Sequence, residues 1–310
     1  MNYSRNFIDE LGKETKFIKA NLEKVLRLLD VLNFLFQKSE FKDKLVLKGG
    51  TAINLVFTKL KRLSVDIDLD YQGSLDKEIA SQDREKLLKE LDDFMISQGY
   101  EVNRNNRSSF ILSSKDYRYT NAFGNVDYIY VEINFIDRIH LLPAEKHIIN
   151  YFNKEVTLLV PSKEELFGMK ISALLNRTKP RDLYDSLFIM NNADSFDINL
   201  LKKCALFYLS LDCEFDINSI IHNISNISFY SIKTELYPVI SMNEKFDLEK
   251  CKAELIGFLN KVFDLTKAEI DYLEEFSKGN FKPNLLFDKE ISDRASQHPM
   301  AKWRILNINK

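Results

Sequence analysis

Three aspartates stand at alternate positions in the run VDIDLDY: Asp66, Asp68 and Asp70. Residues two apart on a strand share a face, so the three carboxylates project together while Val65, Ile67, Leu69 and Tyr71 point the other way. Like charges at that spacing repel one another unless a cation sits against them. Aspartate is also a poor strand former, and a repeated conflict between local preference and pattern tends to mark a functional site. Asp66 and Asp68 offer the oxygen ligands that a hard cation such as Mg²⁺ (or Mn²⁺) requires. The plainer alternative is a solvated edge strand whose charges discourage aggregation.

Upstream, Lys48-Gly49-Gly50-Thr51 separates a short apolar run at 45–47 from a helical pattern. Two glycines between a strand and a helix let the backbone approach an anion, with helix N–H groups directed at it, and Thr51 could add a hydroxyl donor. Taken alone, Gly-Gly-Thr serves equally as a tight turn. Glu132, in VDYIYVEINFID, shares a face with Tyr128, Tyr130 and Asn134. It is the natural third carboxylate of a site for one or two metals that activates a hydroxyl and clamps a triphosphate. A cross-strand partner for Lys or Arg is its bland reading.

A last cluster lies in residues 168–190, where Lys170, Leu174 and Arg177 fall along one helical face. Pro180 should interrupt the chain and open a second helix, with Asp182 in its first turn and Asp185 one turn on. Lys170 and Arg177 suit phosphate, and Asp182 or Asp185 suits an orienter or base. Helix-end electrostatics and a solvated basic face account for the same residues without chemistry.

The elements that must position these groups follow from periodicity. Apolar spacing predicts one or two helices over 7–38, a helix over 51–60, a strand over 64–71 and an amphipathic helix over 76–98. Alternation near 100–104, 109–113, 117–120 and 126–137 predicts strands, with NAFGN at 121–125 turning the last two into an antiparallel pair. Ser162 and Glu165 fit an S-x-x-E capping box, and helical spacing continues to about 277. The expected fold class is α+β (mixed α/β): a mixed sheet flanked by helices over 1–155, then an all-helical domain over 156–310.

Hydrophobic residues make up 45% of the chain, with 23 Phe and 13 Tyr, ample for packed cores. The formal charge is −2, so any contact with nucleic acid must come from a local patch. Lys42, Lys44, Lys48, Lys59, Lys61 and Arg62, with Lys179 and Arg181, supply such density. Cys204, Cys213 and Cys251 have no CxxC spacing, which suits reduced thiols. The polar start and the lack of any apolar run of about 18 residues lead to the expectation of a soluble, cytoplasmic protein with no membrane contact. His140, His147, His222 and His298 have no zinc-ligand spacing. No G-x-S-x-G elbow, Walker loop or G-x-G-x-x-G run is present.

LKGGTAINLVF, RLSVDIDLDY, VEINF and MKISALLNRTKPRDLYDSL, in this order and followed by HPMAKWRIL near the C-terminus, resemble the AbiEii/AbiGii toxin family of nucleotidyltransferases. The resemblance implies a DNA polymerase β-type nucleotidyltransferase domain in the N-terminal half. Family members are the toxin halves of bacterial toxin–antitoxin pairs linked to abortive phage infection, and some transfer nucleotides to the acceptor end of tRNA, blocking translation. By that likeness Gly49, Gly50 and Thr51 match the motif facing the triphosphate, with Lys48 beside them. Arg62, Ser64, Asp66 and Asp68 match the second motif, whose aspartates hold metal, and Glu132 takes the place of the third carboxylate. Lys170 matches a lysine that contacts nucleotide phosphate, Arg177 lies near it, and Asp182 or Asp185 matches a downstream essential aspartate. The superfamily signature is often Gly-Ser where this chain has Gly-Gly-Thr, and Asp70 lies outside the metal-pair pattern.

The resulting expectation is a Mg²⁺-dependent enzyme that transfers NMP from an NTP to an RNA acceptor, a tRNA 3′ end, and is neutralised by a cognate antitoxin. In it the helical domain contributes Lys170 and Asp182 or Asp185 to the cleft. A small-molecule acceptor, as in aminoglycoside nucleotidyltransferases, and a non-catalytic nucleotide-binding module are the alternatives.

Overall fold

A computed structural model of the chain describes residues 2–103, 109–212 and 216–308; Cys213 and the end of the alternating stretch at 100–104 lie outside them. The chain forms two compact units. The first comprises Met1–Arg138, Ala144–Val160 and Pro238–Glu244, and the second Ile139–Pro143, Pro161–Tyr237 and Lys245–Lys310.

A mixed five-stranded sheet organises the first unit. Its strands are β1 (Leu45–Leu47), β2 (Asp66–Tyr71), β3 (Glu101–Val102), β4 (Leu112–Thr120) and β5 (Val126–Asn134), in the order β1-β2-β5-β4-β3. β2 and β5 run parallel and the other neighbours antiparallel. The buried rows Ile67, Leu69 and Ile129, Val131, Ile133 alternate with polar residues, which is what a sheet covered on one face requires. Helices α1 (Arg5–Thr15) and α2 (Lys19–Asn33) precede β1. α2 buries Leu22, Val25, Leu26, Leu29 and Leu32, positions that recur at helical spacing. The helix expected over 51–60 starts earlier. It opens at the glycines as α3 (Gly49–Ala52) and widens into a π-helical turn at Ile53–Phe57. α4 (Lys77–Ser97) is capped by Asp76, whose carboxylate accepts from the amides of Glu78 and Ile79.

Two sequence expectations are corrected in this unit. The stretches near 109–113 and 117–120 belong mostly to one continuous strand, β4, because Lys115 and Asp116 between them keep the register with β5. A hairpin of β6 (Glu145–Tyr151) and β7 (Lys154–Val160) occupies the region where the texture changes, so the boundary expected at 155 falls inside a strand. Phe152 and Asn153, both with positive φ, form its two-residue turn.

The second unit is helical among its described residues. α5 (Lys163–Arg177), α6 (Pro180–Asn191) and α7 (Ile198–Asp212) carry its centre, and α5 packs on both α6 and α7. Ser162 accepts from the Glu165 amide at 3.5 Å, but the expected capping box is only half formed. The buried Glu165 carboxylate instead accepts from the Leu141 and Leu142 amides and from the Tyr208 hydroxyl. Among the described residues no helix is long and apolar enough to cross a membrane.

Candidate active site

The parallel pairing of β2 with β5 sets Asp66 opposite Tyr130, Asp68 opposite Glu132 and Asp70 opposite Asn134. Because both strands alternate in phase, the acids predicted on separate strands share one face of the sheet. Asp66 and Asp68 are half-buried and Glu132 is exposed. Glu132 Oε2 accepts from Ser114 Oγ at 2.9 Å, across the next strand. With Asp116, Ser114 and Tyr130, the three carboxylates line an open cavity of about 250 Å³.

Asp70 has a different fate. It is fully buried, with the Lys48 ammonium 2.6 Å from its Oδ1 and Asp137 at 4.0 Å from the same ammonium. Burial opposes the charge on Lys48, but Asp70 and Asp137, with Asp68 beyond them, outweigh it and push its pKa up. Lys48, expected beside the nucleotide, therefore has its ammonium held within the fold.

The glycine turn meets β2 at Asp68. Lys48 N–H donates to the Asp68 carbonyl at 2.9 Å, which brings the turn level with the carboxylates. Gly49 has φ +68°, and a Cβ there would lie 2.5 Å from Asp68 Oδ2. At Gly50 a Cβ would strike the Arg62 guanidinium and come within 3.2 Å of Ser64 Oγ. Gly49 is favoured by its backbone conformation, and a side chain at either position would force Asp68 or Arg62 to shift. The structure gathers Gly49, Gly50, Arg62, Ser64 and Asp68 at one end of β2. Thr51 is placed differently from expectation: its hydroxyl donates to the Asp66 carbonyl, tying α3 to the strand.

Lys170, Arg177, Asp182 and Asp185 come together at the α5–α6 junction of the second unit. Thr178 ends α5 in the left-handed region, Lys179 is extended, and Pro180 restarts the helix. The buried Lys170 ammonium lies 2.9 Å from Asp182 Oδ1 and 3.0 Å from Asp185 Oδ2. Arg177 reaches the same Asp182 through Nε at 2.6 Å and Nη2 at 3.0 Å, a bidentate pairing. Burial raises the Asp182 carboxyl, but Lys170 and Arg177 together outweigh it and hold its pKa at about 2.

Sequence reading did not single out Asp116, Ser114 or Tyr130 as site residues. Asp116 lies opposite Tyr130 and Ser114 opposite Glu132, on the same open face. Tyr130 lies between Asp66 on β2 and Asp116 on β4, and burial, then those two charges, push its hydroxyl up. The alternation of Leu112, Ser114, Asp116 and Arg118 was a usable signal, since it puts polar groups on the face that β5 also keeps polar.

The donor set suits a hard divalent cation: carboxylate oxygens alone, two of them on one strand and a third directly across from Asp68. Among the described residues no three acidic, histidine or cysteine side chains gather tightly around one point. Asp66 and Asp68 are therefore the pair at the turn, and Glu132 stands one strand over.

The family model of the nucleotidyl transferase AbiEii toxin, type IV toxin–antitoxin system, matches residues 33–278, which span the glycine turn, both acidic strands and the α5–α6 junction. No curated protein matches the chain. Among solved structures, MenT4, a nucleotidyltransferase toxin from Mycobacterium tuberculosis H37Rv, superposes with a TM-score of 0.68 over 97% of this chain and 99% of that one, at 15% identity. A likeness at that identity speaks for the fold. On the strength of the family match, the chain belongs to the AbiEii family of nucleotidyltransferase toxins of type IV toxin–antitoxin systems.

Proposed function

We propose that the protein transfers NMP from an NTP to the 3′ hydroxyl of an RNA, a tRNA acceptor end, and blocks translation in the cytoplasm until its cognate antitoxin intervenes. One observation carries the reading: Asp66, Asp68 and Glu132 share an open face beside a turn where a side chain at Gly49 would push against Asp68. In the proposed reaction the acceptor oxygen forms a bond to the α-phosphorus, the bond from that phosphorus to the bridging oxygen breaks, and pyrophosphate leaves. The acceptor proton passes to Glu132, exposed and oriented by Ser114.

Asp66 and Asp68, with Glu132 beside them, would hold Mg²⁺ or Mn²⁺. When bound, that cation neutralises phosphate charge and lowers the pKa of an attacking hydroxyl. Gly49 and Gly50 present the backbone of α3 to the triphosphate, while Arg62 and Ser64 flank it. Lys170 and Arg177 are the second unit's phosphate-binding candidates. Asp182 and Asp185 act in this reading as positioning residues, because a carboxyl held at about 2 binds no proton near neutrality and makes a poor base.

Incubation with each labelled NTP, Mg²⁺ and total tRNA tests the proposal. Label should enter tRNA, and Asp68→Asn should reduce transfer by about 10²-fold or more with folding retained. Label found only in an aminoglycoside acceptor points to small-molecule chemistry. Absence of label, with Asp68→Ala arresting growth as fully as wild type, leaves only a non-catalytic binding module.

A further inference from the structure

The open face of the sheet continues beyond the carboxylates. On β5, Tyr128 and Tyr130 precede Glu132 at alternate positions, their ring centroids 6.2 Å apart and their planes 29° from parallel. Tyr130 is 41% exposed. An exposed ring stacked with a half-buried one beside a polar site forms a surface on which flat groups can lie. The Lys24 ammonium lies 5.9 Å from the Tyr130 ring, and Arg118 stands across from Tyr128 on β4.

Direction follows from the chemistry. In a phosphoryl transfer the attacking and leaving oxygens lie roughly in line on opposite sides of phosphorus. The glycine turn meets β2 from the β1 side, so a triphosphate seated there sends its pyrophosphate that way. The acceptor hydroxyl must then approach from the β5–β4 side, where Tyr130 stands opposite Asp66. Electrostatics selects which part of the acceptor sits on the ring. Asp66 and Asp116 flank Tyr130 on the neighbouring strands and repel a phosphate, and the nearby Lys24 ammonium is paired with Asp127, whereas an uncharged nucleobase meets no such penalty and gains stacking.

Resting on the nucleotidyltransferase reading above, we propose that Tyr130, with Tyr128 behind it, is the platform on which the terminal nucleobase of the RNA acceptor stacks. This placement presents the 3′ hydroxyl to the carboxylates, with the preceding nucleotide's base on Tyr128 and its phosphate toward Arg118. Tyr130 is on this account a positioning residue, and it belongs to the acceptor and not to the incoming NTP.

The test is steady-state transfer from a labelled NTP to total tRNA by wild type, Tyr130→Ala, Tyr130→Phe and Tyr130→Trp. Melting temperature serves as the folding control. Tyr130→Ala should raise the KM for tRNA by about 10-fold or more, the range expected for loss of one stacked base. Its KM for NTP should stay at the wild-type value. Tyr130→Phe and Tyr130→Trp should restore the tRNA KM, because the ring and not the hydroxyl is at work. The proposal is overturned if Tyr130→Ala leaves the tRNA KM unchanged, if the NTP KM rises in its place, or if Tyr130→Phe is as defective as Tyr130→Ala. Failure of the wild type to label any RNA is a separate result, which removes the underlying reading and this assignment with it.

Discussion

Gly49 and Asp68 constrain each other closely. The glycine sits at φ +68°, where an L residue costs about 1–2 kcal/mol, and a methyl group there would press on the carboxylate oxygen. Gly49→Ala should therefore displace Asp68 and lower transfer by about 10-fold or more. Gly124→Ala is the matched control: φ is +83°, but nothing lies within 4 Å of its Cβ, so it shares the backbone cost without the contact. Equal losses in labelled-nucleotide transfer from the two variants would show that backbone strain alone is responsible. At this scale much of the site was legible, since the conflict of three aspartates with a strand announces itself. Thr51 was not, because hydroxyl chemistry alone cannot distinguish an anion from the Asp66 carbonyl as its acceptor. Nor was Asp116, an ordinary acid until β4 and β5 pair and set it beside Tyr130.

The α5–α6 junction is an element-scale device: a left-handed cap at Thr178 and Pro180 at the head of α6 fold Lys170 and Arg177 onto Asp182. The folded pKa of Asp182, about 2, lies below the ordinary aspartate value. A depressed carboxyl contributes stability that is fully present above the unfolded pKa near 4 and is lost as pH falls through the folded pKa. The contribution is about 2 kcal/mol, released between roughly pH 5 and pH 2. Urea denaturation across that window should show a steep acid limb, and Asp182→Asn should flatten it. An unchanged limb in the variant would place the acid sensitivity elsewhere. Pro180 and the apolar spacing made this junction readable in sequence. The β6–β7 hairpin was missed because its turn is Phe152-Asn153 and not the Asn-Gly or Asp-Gly that signals such a loop. The half-formed capping box at Ser162 has a similar cause: Glu165 finds the Leu141 and Leu142 amides, partners no local motif can reveal.

At the scale of the whole chain, the first unit is not a continuous stretch, because Pro238–Glu244 returns to it. Leu63 N–H donates to the Val239 carbonyl at 2.6 Å, Arg62 bridges Ile240, and Asn21 donates to the Pro238 carbonyl. A chain ending at Val160 should therefore melt lower than one that restores 238–244 through a short linker, and its Leu63 amide should exchange hydrogen faster. Equal melting and equal exchange would mean that the returning segment carries no weight. The α+β character and the helical second half were legible from periodicity, whereas a contact spanning so much sequence leaves no periodic trace. The same returning segment also has a consequence in time. The backbone beside Arg62 and Ser64, which flank Gly50, is pinned only after Val239 has been made. At ~5–20 residues per second, translation takes roughly 10–35 s to travel from one to the other. The nascent chain thus carries the backbone around Arg62 and Ser64 without the Val239 hydrogen bond until that later segment has been made.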